Sequence, residues 1–179
     1  MKIKVQKHLD EIDDQLQRLV KRLSRHSEED LNRKPSEVEW SVMQVMVHLQ
    51  LAEFYTMEYM KKKLSDGNVP KKNSLKGKIM TSMYSLFFSV PIKIKAPAAI
   101  NGDALPLKSS FWDVTKQWKQ QRAELRTYLL ALSDAQLKGE IYKHPIFGRS
   151  DVHGLLKFYL LHTKRHEKQI DRLLSYYKC

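Results

Sequence analysis

The segment YLLHTKRHEKQI, residues 159–170, has the periodicity of an amphipathic helix, but histidines occupy two of its inward positions. Residues three or four apart in sequence lie on one face of a helix. The face predicted here extends beyond the segment and comprises Leu155, Tyr159, His162, His166, Gln169 or Ile170, and Leu173. We therefore predict a long helix that carries two imidazole rings in its packing stripe.

Two more long helices are predicted in the N-terminal third of the chain. The first has its apolar residues three or four apart, at Val5, Leu9, Ile12, Leu16, Leu19 and Leu23. The second begins with a capping box, in which Ser41 is the N-cap and Gln44 follows three residues later, with Trp40 placed to pack on Val45. Its inward stripe is predicted as Val45, His48, Leu49, Ala52, Tyr55 or Thr56, and Tyr59, with an end near Asp66 and Gly67.

A third long helix is predicted after a long irregular connection. Residues Gly67 to Ser109 contain four prolines and indicate at most a short helix around Leu75 to Ser89. The helix that follows is capped by Ser110, stops near Leu132, and has apolar positions at Phe111, Val114, Trp118, Leu125 and Leu129. A connection of this length suits two parallel helices, because the chain must return along a helix of about 37 Å.

Turn-forming residues separate the third helix from the last one. Ser133 and Gln136 repeat the capping signal, and His144-Pro145 and Gly148 are expected to interrupt any regular element. The last helix should be capped by Ser150, with Asp151 near the positive end of its dipole. No stretch alternates convincingly between polar and apolar strand-forming residues, so four long helices predict an all-α bundle.

Length and composition predict one domain spanning residues 1–179, with 42% hydrophobic residues. The formal net charge of +12 would suit an acidic partner, but the basic residues are spread over helix faces that also carry acids, so nucleic acid is the less favoured partner. The only cysteine, Cys179, excludes an intrachain disulfide and a thiolate metal cage. With a charged N-terminus and no apolar run of about 20 residues, we expect a cytoplasmic protein without a transmembrane segment.

Basic residues flank an apolar run in the segment from Lys76 to Lys95. The segment could serve as a lid, a dimer surface or a patch that touches lipid. Core packing under the long crossover is the simpler interpretation, and we prefer it.

His48 joins His162 and His166 in the predicted site. It lies on the inward stripe of the second helix, and three neutral imidazoles from two helices can hold one divalent ion with a coordination position left open. A single inward histidine is more often an ordinary buried ring with hydrogen-bond partners. Three of them would cost a few kcal/mol of desolvation as an unpaired cluster, which a bound metal would offset.

The remaining histidines are weaker candidates. His8 and His26 are expected at the surface, and His153 in the first turn of the last helix is expected to be a capping or surface group. His144, in the loop before that helix, is either a substrate or supporting contact or part of a structural turn.

The order of Trp40-Ser41, His48-Leu49, His144-Pro145, Phe147-Gly148 and the pair His162 and His166 resembles the DinB/YfiT-like superfamily of metal-binding four-helix bundles. The resemblance extends from the first helix to Ile170. It implies an up-down-down-up bundle with a long link between parallel second and third helices. It also implies zinc or nickel on His48, His162 and His166, and a homodimer.

The same resemblance implies a function. Some relatives transfer a low-molecular-weight thiol such as bacillithiol, mycothiol or glutathione, so the leading hypothesis is a metal-dependent transferase or hydrolase-like enzyme acting on a small-molecule substrate. A metal lowers the pKa of a bound thiol or water. The alternative is a non-catalytic bundle whose basic surface binds nucleic acid or another acidic partner. Spacing alone assigns no general acid or base.

Overall fold

The computed structural model describes residues 1–65, 68–72, 100–144 and 148–176. Four long helices dominate it, and two short helices, a 3-10 turn at Gly102–Ala104 and a two-stranded hairpin lie in the connections. In chain order the elements are α1 (Lys2–Leu23), α2 (Glu28–Asn32), α3 (Val42–Leu64), α4 (Phe111–Ala131), α5 (Asp134–Leu137), β1 (Tyr142–His144), β2 (Gly148–Ser150) and α6 (Val152–Ser175).

The four long helices form a bundle in which α1 and α3 each pack against both α4 and α6. Two apolar clusters fill its interior and define the helix directions. One cluster joins the N-terminal halves of α1 and α6 to the C-terminal halves of α3 and α4, and the other cluster joins the opposite halves. Helices α1 and α6 are therefore parallel, and α3 and α4 run together in the other direction.

This arrangement confirms the predicted all-α, up-down-down-up bundle with its crossover between parallel helices. The crossover joins α3 to α4 through residues 65–110. Both the short helix expected around Leu75 to Ser89 and the basic segment from Lys76 to Lys95 fall outside the described residues, so these two predictions stay open.

The start of α3 follows directly from the sequence. The Ser41 hydroxyl accepts a hydrogen bond from the Gln44 backbone N–H, and the Gln44 side chain accepts one from the Ser41 backbone N–H. This reciprocal pair satisfies two donors that a helix terminus otherwise leaves unpaired. The predicted caps Ser110 and Ser133 are also confirmed, on α4 and α5.

The inward face of α3 differs from the prediction in its second half. Tyr55 and Tyr59 are 48% and 40% exposed, while the buried positions are Ala52, Glu53, Thr56, Met57, Met60 and Leu64. The stripe passes through the charged Glu53, and a hydrophobicity pattern assigns such a residue to the outside. The prediction that Tyr59 faces the core was therefore wrong.

The connection before α6 forms a β-hairpin rather than the interrupted loop that was expected. Strands β1 and β2 pair antiparallel, with Tyr142 opposite Ser150 and His144 opposite Gly148, whose φ of 72° suits a glycine. Because Ser150 belongs to β2, the cap of α6 moves one residue on. The Asp151 side chain accepts the hydrogen bond from the Gly154 N–H, which corrects the prediction that Ser150 is the cap.

In the described parts of the chain, no helix combines the length and the apolar character that crossing a membrane requires.

Candidate metal centre

Helices α3 and α6 bring the three predicted histidines together. His48 lies in the second turn of α3, and His162 and His166 lie one turn apart on α6. Because the two helices are antiparallel neighbours, the first half of α3 faces the second half of α6. One ring nitrogen from each histidine lies within 4.8 Å of the others, and no second group of three such ligands occurs in the described ranges.

The three Nε2 atoms form the centre of the cluster. His162 Nε2 lies 3.4 Å from His48 Nε2 and 3.2 Å from His166 Nε2. Two nitrogens bound to one ion at about 2.05 Å in tetrahedral geometry are about 3.3 Å apart. Both separations from His162 are close to this value.

The outer nitrogens of two rings have their own acceptors. His48 Nδ1 lies 2.9 Å from the Ile100 carbonyl oxygen, and His166 Nδ1 lies 2.8 Å from Gln169 Oε1. Since both partners are acceptors, the Nδ1 atoms carry the protons and the Nε2 atoms present lone pairs to the centre. A proton on His162 Nε2 could form a hydrogen bond with only one of these two lone pairs. A metal cation could bind the Nε2 lone pairs of all three histidines.

His48 is buried and His162 and His166 are half-buried, and the loss of hydration keeps all three rings neutral. It lowers the pKa of His48, whose bond to Ile100 opposes the shift. It also lowers the pKa of His166 to about 3, with a further contribution from His48. The pKa of His162 falls well below its usual range because of burial and the two neighbouring histidines. Neutral imidazole is the form that binds metal, so the rings need not lose a proton at pH 7.

Aromatic rings line the cluster. The Trp40 ring lies 5.1 Å from the His48 ring, and Phe158 stacks on His162 at 5.0 Å with an interplanar angle of 16°. The Phe158 ring also contacts the His144 ring, with the centroids 4.9 Å apart in an edge-on arrangement. These contacts restrict the ring orientations.

His144 is a buried part of the hairpin, 7% exposed, and burial lowers its pKa to about 4. It contacts the cluster through Phe158, which places it in the surroundings of the three histidines and not among the candidate ligands. The neighbouring positions Pro145 and Phe147 of the predicted motif lie outside the described residues.

An ion pair is buried in the same bundle and was missed from the sequence. Arg122 of α4 donates from Nε and Nη2 to the two carboxylate oxygens of Glu53, and Trp118 Nε1 donates to Glu53 at 2.8 Å. The hydroxyl of Tyr159, one turn before His162, donates to the Glu53 carbonyl at 3.1 Å. The only sequence signal was a charged residue at helical spacing between apolar ones in both helices.

Of the other histidines, His153 is exposed as expected, whereas His8 and His26, which were expected at the surface, are half-buried. His8 lies on α1 beside His153. His26 lies beyond the end of α1. None of them belongs to the cluster of three.

The residues present fit a divalent transition metal. All three donors are imidazole nitrogens, which suit zinc, nickel and copper, and three protein ligands leave a position for an exogenous group. Two of the rings are held by second hydrogen bonds of the kind that orient metal-binding histidines. The site is thus a bundle-core cluster of three histidines that could hold such an ion.

Comparisons with known proteins also place the chain among helical-bundle proteins. A family model described as the DinB superfamily matches residues 11–170, and the chain belongs to that superfamily. A solved structure described as "YfiT from Bacillus subtilis is a probable metal-dependent hydrolase with an unusual four-helix bundle topology" is similar in fold. The two chains share 16% identity and a TM-score of 0.63, over 97% of this chain and 87% of that one. No curated protein shows significant similarity.

Proposed function

We propose that this protein is a divalent-metal-dependent enzyme whose ion is held by His48, His162 and His166. The observation that carries the proposal is the convergence of the three Nε2 atoms, with separations of 3.2 and 3.4 Å from His162 to its two neighbours. An ion held there would lower the pKa of a bound thiol or water, so that a nucleophile forms near neutral pH.

The protein itself contributes orientation and an uncharged ligand set. Hydrogen bonds from His48 to Ile100 and from His166 to Gln169 fix which nitrogen faces the centre. The set contains no carboxylate, so the charge of a divalent ion would not be neutralised by its ligands. That favours an anionic fourth partner, either a thiolate or a hydroxide. The near-tetrahedral spacing favours zinc among the candidate metals.

The substrate class that we propose is a small electrophilic molecule attacked by a low-molecular-weight thiol. The support is the family membership of the chain together with the aromatic lining supplied by Trp40 and Phe158. Hydrolysis is the competing reaction of the same centre, because the similar YfiT structure is described as a probable metal-dependent hydrolase.

Metal content tests the site first. Untagged protein should contain about one equivalent of zinc or nickel bound tightly enough to survive gel filtration, measured by mass spectrometry of the elements. H162Q should lose this equivalent, and H26Q, which alters a histidine outside the cluster, should retain it. A native protein that takes up no tightly bound metal after reconstitution would overturn the proposal.

Activity then distinguishes the two reactions. Metal-loaded protein should accelerate conjugation of glutathione or bacillithiol to a chromogenic electrophile, and H162Q should reduce the rate to background. Acceleration of p-nitrophenyl ester hydrolysis without any thiol would replace the transferase with a hydrolase. Metal-loaded protein that accelerates neither reaction, with these probes, would contradict the proposed chemistry while leaving the metal site in place.

A further inference from the structure

A second histidine cluster lies where the N-terminal halves of α1 and α6 meet. His8 Nε2 of α1 is 2.9 Å from His153 Nδ1 of α6, and the ring centroids are 4.7 Å apart. On α6, nine residues separate His153 from His162, which corresponds to about 14 Å along the helix axis. The pair is therefore distinct from the three-histidine centre and shares no residue with it.

Glu11 orients the His8 ring. Its Oε2 atom lies 3.0 Å from His8 Nδ1, one helical turn away. The carboxylate accepts the Nδ1 proton, so His8 Nε2 presents a lone pair toward His153. A carboxylate behind a histidine is the supporting arrangement found in metal sites, where it fixes the tautomer and raises the basicity of the ligating nitrogen.

His153 can present a lone pair from the facing nitrogen. In the structure its Nδ1 donates to His8 Nε2, because the latter is an acceptor. The Nδ1 proton can move to Nε2 of the same ring, which leaves the ring neutral and frees Nδ1 as a ligand. Although the residue as a whole is exposed, partial desolvation of its ring and the nearby His8 lower the pKa of His153, so the neutral form predominates at pH 7.

We propose that His8 and His153 form a second metal-binding site, which takes a late divalent transition metal such as Ni²⁺ or Cu²⁺ and clips α1 to α6. Two nitrogens bound at about 2.05 Å and at a right angle are about 2.9 Å apart, which is the spacing of square-planar or octahedral geometry. The observed separation of 2.9 Å matches this value and is shorter than the spacings within the three-histidine centre.

The surroundings leave the site exchangeable. His153 is exposed and His8 is half-buried, so water or a carboxylate can complete the coordination. Glu11 and Asp151 supply negative charge near the pair, and Lys4 and Lys157 offset it. With two protein ligands instead of three, the site should bind its ion more weakly than the buried centre and release it first to a chelator.

Calorimetric titration of chelator-treated, untagged protein with NiCl₂ tests the proposal. We expect two equivalents of nickel in separate affinity classes. The affinity of the weaker class should fall at least 100-fold in H153Q and at least 10-fold in E11Q. H26Q is the matched control and should retain both classes. Copper added to H48Q/H162Q/H166Q, which lacks the three ligands of the other centre, should give an electron paramagnetic resonance spectrum with nitrogen coupling, and this coupling should disappear when H153Q is added.

The outcomes separate this site from the proposed catalytic centre. One equivalent that H162Q abolishes and H153Q leaves unchanged would overturn the second site and leave the proposed function intact. Binding that only H153Q abolishes would support the second site and contradict the first. His153 is exposed, so its substitution should leave the fold unchanged, as circular dichroism would verify.

Discussion

Gln169 accepts a hydrogen bond from His166 Nδ1 across one turn of α6, at 2.8 Å. The bond turns the other nitrogen of the ring toward His48 and His162. A half-buried glutamine thus holds a candidate ligand in place. Gln169 therefore supports the centre through His166 without being a candidate ligand itself.

Replacing Gln169 with leucine should weaken metal binding by about 10- to 100-fold and leave the fold intact, because the His166 ring loses its anchor while the helix keeps a good helix former. Competition with a chromophoric chelator measures the change. Q120L is the matched control, since Gln120 lies on the exposed face of α4 and bonds only to Glu124 among the described residues. Equal affinities for Q169L and the native protein would show that the Gln169 contact does not orient the ring.

Replacing Glu53 with glutamine should destabilise the bundle by about 3–5 kcal/mol, because the buried Arg122 would keep only the more distant and partly exposed Asp13, at 3.7 Å, as a counterion. Glu53 and Arg122 are 2% and 3% exposed. Urea denaturation followed by circular dichroism gives the free energy of unfolding. K61A, which removes an exposed pair with Glu58, should cost at most about 0.5 kcal/mol. If E53Q and K61A lost similar amounts of unfolding free energy, the burial of the Glu53–Arg122 pair would not explain its contribution to stability.

Stability of the metal-free protein should fall as the pH drops from 7 to 5. Burial lowers the pKa of His166 to about 3 and of His144 to about 4, from the ordinary value of 6.5. Below pH 6.5 the unfolded chain binds protons that the folded chain does not. Each such histidine therefore lowers the free energy of unfolding by up to about 1.4 kcal/mol for each unit that the pH falls. The stability that a neutral histidine contributes is complete above its pKa in the unfolded chain. It is lost as the pH falls toward its pKa in the folded chain.

The slope can be measured by urea denaturation in the presence of a chelator, at intervals between pH 7 and pH 5. H144F keeps an aromatic ring against Phe158 but cannot bind a proton, so its slope should be smaller than that of the native protein. H26Q, which alters a histidine outside the hairpin and outside the cluster of three, serves as the control. Identical slopes for H144F and the native protein would remove His144 from the explanation.

Replacing Thr163 with valine should stabilise the protein by about 1 kcal/mol. Thr163 is 1% exposed, and its hydroxyl has no hydrogen-bond partner among the described residues, so a methyl group of similar shape removes a desolvation cost. Thr56 provides the contrast, because its buried hydroxyl donates to the Ala52 carbonyl. T56V should therefore lose about 1 kcal/mol in thermal or urea unfolding. A loss of stability in T163V would show that its hydroxyl is satisfied in solution.

The sequence predicted much of the fold because its information is local. Apolar spacing of three and four requires only that a helix bury one face, and the caps at Ser41, Ser110 and Ser133 bond to backbone atoms three residues away. The same periodicity placed His48, His162 and His166 on inward faces. Their convergence could be expected, since histidines inside a bundle have few other polar groups to meet.

Tertiary structure decided what depends on partners distant in sequence. Glu53 is inward because Arg122 lies opposite it on α4, and no helical pattern contains that pairing. The cap of α6 moved to Asp151 because Ser150 pairs with Tyr142 in the hairpin. The sequence alone thus determined the long helices, the starts of α3, α4 and α5, and the inward histidines, through contacts within a few residues. Packing determined which nitrogen of each ring faces the centre, because the acceptor of His48 is a carbonyl 52 residues away.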